Sequence, residues 1–175
     1  MDVESLSTPF GLSGLLEING FMKDIIDLDP DSDLWRHSKQ GFFKINFDAA
    51  FDNSKNRLCS GIIVMNFKGD VLASKTMVHD NIPSKFAVEA IACLQAVTMG
   101  RDLGMKYVEI EGGSLIVIKK VKNPNKDKSA IGSYIHDIKE QNVTFYECKF
   151  QHARRAANKS AHNLASERLK MGKNA

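Results

Sequence analysis

No apolar run in this sequence reaches the ~18 residues needed to span a bilayer. The N-terminus, Met1-Asp2-Val3-Glu4, is acidic and lacks the basic region and apolar stretch of a secretory signal. Together these absences predict an intracellular protein with no membrane partner. Cysteine is scarce. Cys59, Cys93 and Cys148 stand far apart, form no CxxC pair and are odd in number, which argues against a disulfide framework or a zinc pattern. They read as buried free thiols. No internal repeat or low-complexity tract interrupts the chain.

What is present is ordinary for a soluble globular domain: 43% hydrophobic and 26% charged residues over 175 positions, enough chain for one domain with a real core. The charge is unevenly placed. Eight acids against Lys23 give residues 1–34 a charge of −7, so the net +3 leaves +10 on residues 35–175. A basic body suits a polyanion such as nucleic acid, and equally a solvated basic surface.

Residues 1–34 read as an acidic arm, mobile or loosely docked, in which Phe21, Met22, Ile25, Ile26 and Leu28 could line one short amphipathic helix. The body begins near Trp35. Phe43, Ile45 and Phe47 alternate with Lys44, Asn46 and Asp48, the period of a strand with unlike faces. A polar turn over 52–58, a β-rich run at 61–65, a hairpin connection at 66–70 and a third strand over 71–78 complete an antiparallel meander.

The period then changes. Pro83 suits a first helical turn, and Phe86, Ala90, Cys93, Leu94, Val97 and Leu103 recur at helical spacing before Gly104. Tyr107 to Glu111 reads as a fourth strand, parallel to its neighbour after a crossover helix. Ser114 opens a helix over Leu115 to Val121, and residues 129–140 form another with Ile131, Ile135 and Ile138 on one face. Val143, Phe145, Tyr146 and Phe150 mark a fifth strand. Residues 156–170 form a last helix with Ala157, Ala161, Leu164, Ala165 and Leu169 inward, and 171–175 a tail. The fold class is α/β, a mixed five-stranded sheet flanked by helices in the order β-β-β-α-β-α-α-β-α.

Three stretches carry a resemblance: Lys44-Ile45-Asn46-Phe47-Asp48-Ala49-Ala50-Phe51, Phe86-Ala87-Val88-Glu89-Ala90-Ile91-Ala92, and the run from Phe150 to Ala165. Over residues 35–170 the chain resembles the ribonuclease H-like family, and in particular the plant domains related to retrotransposon reverse transcriptases. The resemblance implies two-metal hydrolysis of the RNA strand of RNA/DNA hybrids, with Mg²⁺ or Mn²⁺ held by four acids on separate elements. It places Asp48 at the bridging aspartate and Glu89 at the helix glutamate, both as metal ligands. The third acid falls on Gly113, in Glu111-Gly112-Gly113-Ser114, and the fourth on His162.

Two of the four catalytic positions, Asp48 and Glu89, therefore keep their acids, whereas Gly113 offers no ligand atom. His162 can bind Mn²⁺ but suits Mg²⁺ poorly, or it serves as a polar helix-start residue. Glu111, two residues before Gly113 and on the same strand face, is a weak substitute or a solvated residue. Losing ~4 kcal/mol of transition-state stabilisation costs about a thousandfold in rate, so hydrolysis is expected to be very slow or absent.

Binding can outlast catalysis. Five lysines lie within 119–128, and seven bases lie within 149–173. Arg154, Arg155, Asn158 and Lys159 are the candidate nucleic-acid contacts, by phosphate binding. Asn158 equally suits a helix cap. Two functions stand side by side: a weakened hybrid endoribonuclease, and a non-catalytic module that binds nucleic acid or protein. The chain is expected to act as a monomer, with the acidic arm competing with nucleic acid for the basic face.

Overall fold

The computed structural model describes residues 37–81 and 84–171. The expected acidic arm, Trp35, Pro83 and residues 172–175 of the tail lie outside the described residues.

Strand β1, Phe43–Asp52, turns through 53–56 into β2, Arg57–Met65, with Asp52 accepting the Ser54 amide at 3.0 Å. The β2–β3 hairpin is built by Asn66. Its side-chain oxygen accepts from the amides of Lys68 at 3.0 Å and Asp70 at 2.9 Å, and Gly69 supplies a φ of +87°. Strand β3 runs Val71–Asp80.

Helix α1, Lys85–Asp102, is capped by Ser84, whose hydroxyl accepts the Ala87 amide, and it ends ahead of Gly104 at φ +72°. Strand β4, Tyr107–Gly112, follows. Helix α2, Leu115–Lys122, is capped in the same way by Ser114. Helix α3, Gly132–Asn142, strand β5, Glu147–His152, and helix α4, Lys159–Met171, complete the domain.

The sheet order is β3-β2-β1-β4-β5, antiparallel from β3 to β1 and parallel from β1 to β5. The expected fold class and element order are those observed. One sheet face carries Ile45, Phe47, Val108 and Ile110 into the main core with Cys93, Val97, Ile118, Ile135 and Ile138. The other face is covered over β1 and β2 by α4. There Ala161 and Leu164 pack on Ile63 and Met65. A Cβ at Gly61 would collide with the Ala161 carbonyl, so glycine lets helix and strand approach closely. Among the described residues no helix is long and apolar enough to cross a membrane.

Five local expectations are corrected. Strand β2 starts at Arg57 rather than 61, and the turn expected over 52–58 narrows to 53–56. Helix α3 starts at Gly132 rather than 129, because Asp127 accepts the Ser129 amide at 2.8 Å and Ser129 the Gly132 amide at 3.0 Å, which closes turns there. Strand β5 starts at Glu147, and Val143 and Tyr146 are 81% and 75% exposed in the preceding turn. Helix α4 starts at Lys159, after a turn over 155–158 that includes Ala157. Phe86 is half exposed in the first turn of α1 rather than inward.

Candidate active site

Alternation along β1 places Lys44, Asn46 and Asp48 on the α4 side of the sheet. The parallel register pairs Asn46 with Glu111 and Phe47 with Gly112, which brings Gly113 level with Asp48 at the end of β4. Lys44, Asn46 and Asp48 are all buried, because α4 and the turn before it close over them. The expected polar face of this strand is thus an interior polar row.

Asp48 is the centre of the site. Its Oδ1 accepts the Ala49 amide at 2.9 Å, and its Oδ2 lies 3.2 Å from Nδ1 of His162. The imidazole sits at ion-pair distance but out of line for a hydrogen bond. Burial raises the Asp48 carboxyl above its ordinary range, opposed by the Ala49 amide, His162 and Arg155. An ideal Cβ on Gly113 would stand 3.1 Å from Asp48 Oδ1 and 3.6 Å from Asn158 Nδ2. A side chain at position 113 would therefore point at Asp48.

Glu89 reaches the same region from α1. Its carboxyl is pushed up to about 8, first by burial and then by the charge of Asp48, against smaller opposing effects of Lys85 and Arg155. Its Oε2 is buried without a hydrogen-bond partner. Of the two acids, Glu89 is the one that keeps the proton, because Asp48 has an amide and an imidazole beside it. The four positions read from the sequence, Asp48, Glu89, Gly113 and His162, thus converge although they come from four separate elements.

Glu111, the expected weak substitute or solvated residue, is buried and engaged by its neighbours on β1. Its Oε1 lies 3.0 Å from Lys44 Nζ, and its Oε2 is 3.5 Å from Asn46 Nδ2. Asn158 is also corrected. It is 1% exposed, donates from Nδ2 to the Phe47 carbonyl at 2.7 Å, and accepts from Asn46 Nδ2 at 2.9 Å. A side chain so enclosed cannot contact a nucleic acid. It is a latch between the start of α4 and β1, and its own carbonyl accepts the His162 amide. Arg154, Arg155 and Lys159 remain exposed around it. The sequence reading missed the Lys44–Glu111 pair and the Asn46–Asn158 contact. The only signal was a lysine and an asparagine on the face that also bears Asp48.

The donor set fits a cation in part. Two nearby buried carboxylates, one with a partnerless oxygen, favour a positive charge between them, and His162 adds a nitrogen. The set is more open than a closed metal site. Among the described residues, three potential ligand atoms come within 4.8 Å of one another in the exposed group His136, Asp137 and Glu140 on α3, away from these residues.

Residues 46–168 match the family model described as reverse transcriptase-like. A comparison with curated proteins found no match. Among solved structures, ribonuclease H1 from Halobacterium salinarum NRC-1 aligns with a TM-score of 0.68 at 21% identity, covering 74% of this chain and 98% of that one. The N-terminal ribonuclease H domain of a Mycobacterium tuberculosis protein, solved fused to maltose binding protein, aligns at 0.66 and 16% identity, over 74% and 94%. LC11-RNase H1, solved in complex with an RNA/DNA hybrid, aligns at 0.63 and 18% identity, over 71% and 94%. At these identities the likeness is one of fold.

Proposed function

The chain belongs to the reverse transcriptase-like family, and on that premise we propose that residues 35–170 form a ribonuclease H-type domain that binds RNA/DNA hybrids and hydrolyses them very slowly or not at all. The observation that carries this reading is the gap at Gly113. Position 113, just past β4, would face Asp48 but has no side chain, while the acid two residues earlier, Glu111, is held by Lys44.

Asp48 and Glu89 would hold a divalent cation, Mg²⁺ or Mn²⁺, with His162 beside Asp48. When bound, such a cation supplies Lewis-acid polarisation of a phosphoryl oxygen. The chain's own residues bind and position. Arg155 acts electrostatically on both Asp48 and Glu89. With Arg154 and Lys159 it presents cations to a phosphate backbone. His162 steadies the Asp48 carboxylate. Asn158 fixes the turn that holds Arg155 and is flanked by Arg154 and Lys159.

The solved complex of LC11-RNase H1 with a hybrid supports the substrate class. The test is cleavage of a labelled RNA/DNA hybrid in Mg²⁺ and in Mn²⁺, beside hybrid binding in EDTA. Measurable binding with negligible turnover is expected. Robust turnover that vanishes in Asp48→Asn would overturn the slow-or-absent reading.

A second reading, a non-catalytic module for a protein partner, draws on one observation. Phe86, Leu115 and Ile116 are 51%, 44% and 45% exposed, three residues either side of the site positions Glu89 and Gly113 for two of them. Phe86 and Ile116 line an apolar groove with Ala130 and Ile131. No hybrid binding at low salt would favour this module.

A further inference from the structure

A second surface stands apart from the Asp48 site. Tyr107 opens β4, whereas Gly113 follows its far end, about 20 Å away at the rise of a strand. Tyr107 packs edge-to-face with Phe42 at 5.5 Å and with Tyr146 at 5.8 Å between ring centroids. Phe42 is buried, but Tyr107 and Tyr146 are 43% and 75% exposed. Each end of this row carries cations. Lys149 Nζ lies 5.0 Å and Lys39 Nζ 5.7 Å from the Phe42 centroid, and Lys106 Nζ lies 5.7 Å from that of Tyr146. Of the carboxylates nearby, Glu109 is buried and accepts the Lys39 amide at 3.3 Å. Glu147 is exposed and lies 3.6 Å from Lys149 Nζ. Three lysines thus face one exposed acid.

We propose that Tyr107 and Tyr146, with Lys39, Lys106 and Lys149, form a stacking platform for a single-stranded nucleic acid. Exposed aromatic faces interleaved with ammonium groups match the two needs of an unpaired strand: π-stacking for its bases and cations for its phosphates. A duplex hides its base faces and would gain only the charge term. The preference is sequence-tolerant, because every base offers a π face. The Lys149 and Tyr107 side chains rise from the sheet face that also bears Asp48, so a strand held here could continue from the hybrid site.

The test is anisotropy of a fluorescein-labelled uridine oligomer with the full chain in EDTA, together with ultraviolet crosslinking. Tyr146→Ala, at a ring mostly in solvent, is expected to weaken binding about tenfold or more without moving the melting temperature. Tyr107→Leu is expected to do the same in an independent background. Lys106→Ala is expected to reduce the slope of log affinity against log salt by about 0.7. The crosslink is expected on Tyr146. Unchanged affinity in both tyrosine variants overturns the platform. So does a full chain that fails to bind. Binding that arises only once residues 1–34 are deleted also overturns it, and assigns the patch to that acidic segment instead.

Discussion

Lys44 Nζ lies 3.0 Å from Glu111 Oε1, and the two side chains are 2% and 12% exposed. The β1–β4 register places Lys44 opposite Glu109 and Asn46 opposite Glu111, so the pair is diagonal across the parallel ladder. A buried ammonium here neutralises the one carboxylate that β4 could have turned toward Asp48. Removing Lys44 alone strands that charge. Lys44→Met is expected to cost about 3–5 kcal/mol, and Lys44→Met with Glu111→Leu to recover most of it. Urea denaturation of the three proteins measures both, and a double variant as unstable as the single one would show that the pair is not what matters.

Asn158 is the second interior polar anchor. Asn158→Ala leaves the Phe47 carbonyl and the Asn46 amide without their partner. The Asn46 amide keeps only its longer 3.5 Å bond to Glu111, and a buried polar group that loses its partner costs about 1–3 kcal/mol. A fall in melting temperature is expected, with broadened NMR signals from the His162 ring. Wild-type stability would mean that water replaces the amide at no cost.

Position 113 is predicted to be where activity can be restored. A Cβ there meets Asp48 Oδ1 at 3.1 Å, a contact that a shift of a few tenths of an ångström relieves. Gly113→Asp is expected to lower stability in EDTA by like-charge repulsion. In Mn²⁺ it is expected to raise hybrid cleavage about a hundredfold or more over the parent. Gly113→Asn supplies the bulk without the charge and is expected to do neither. Cleavage that stays flat in the aspartate variant would assign the loss to His162.

Glu89 makes stability depend on pH. Its folded carboxyl titrates at about 8, above the ordinary 4.5. Between these values the folded protein binds more protons than the unfolded chain, so stability falls as pH rises through that window. Below it the contribution is fully present. Glu89→Gln removes the Glu89 share of the dependence, leaving that of Asp48, and at pH ~9 the variant is expected to exceed the parent by a few kcal/mol. Urea midpoints measured from acid to alkaline pH check the sign, and parallel curves for the two proteins would overturn it.

The elements most legible from sequence were those with strong local period. The alternation of Phe43, Ile45 and Phe47 and the small-residue stripe around Glu89 lie where they were expected, and they bring Asp48 and Glu89 within electrostatic reach of each other. What stayed hidden depends on partners distant in the chain. Lys44 reads as a solvent residue until β4 is laid beside β1 and α4 over both. Asn158 reads as a cap or a phosphate contact until its amide is seen on Phe47. Phe86 shares the stripe of Ala90, Cys93 and Val97, yet it falls in the first turn, beside the groove with Ile116 and Ile131, and stays half exposed. Val143 and Tyr146 carry strand propensity in a segment that the backbone uses as a turn, where the Tyr146 amide pairs with the Lys106 carbonyl.

The hydrogen bond from Asn158 to Phe47 joins residues 111 positions apart. During synthesis Asp48 and Glu89 leave the ribosome long before the amide that clasps β1. A chain that ends before Asn158 would still carry Asp48 and Glu89, but β1 would lack the side chain that closes its α4 face. Quality control would therefore meet such a fragment as a misfolded protein, not as a smaller version of this one.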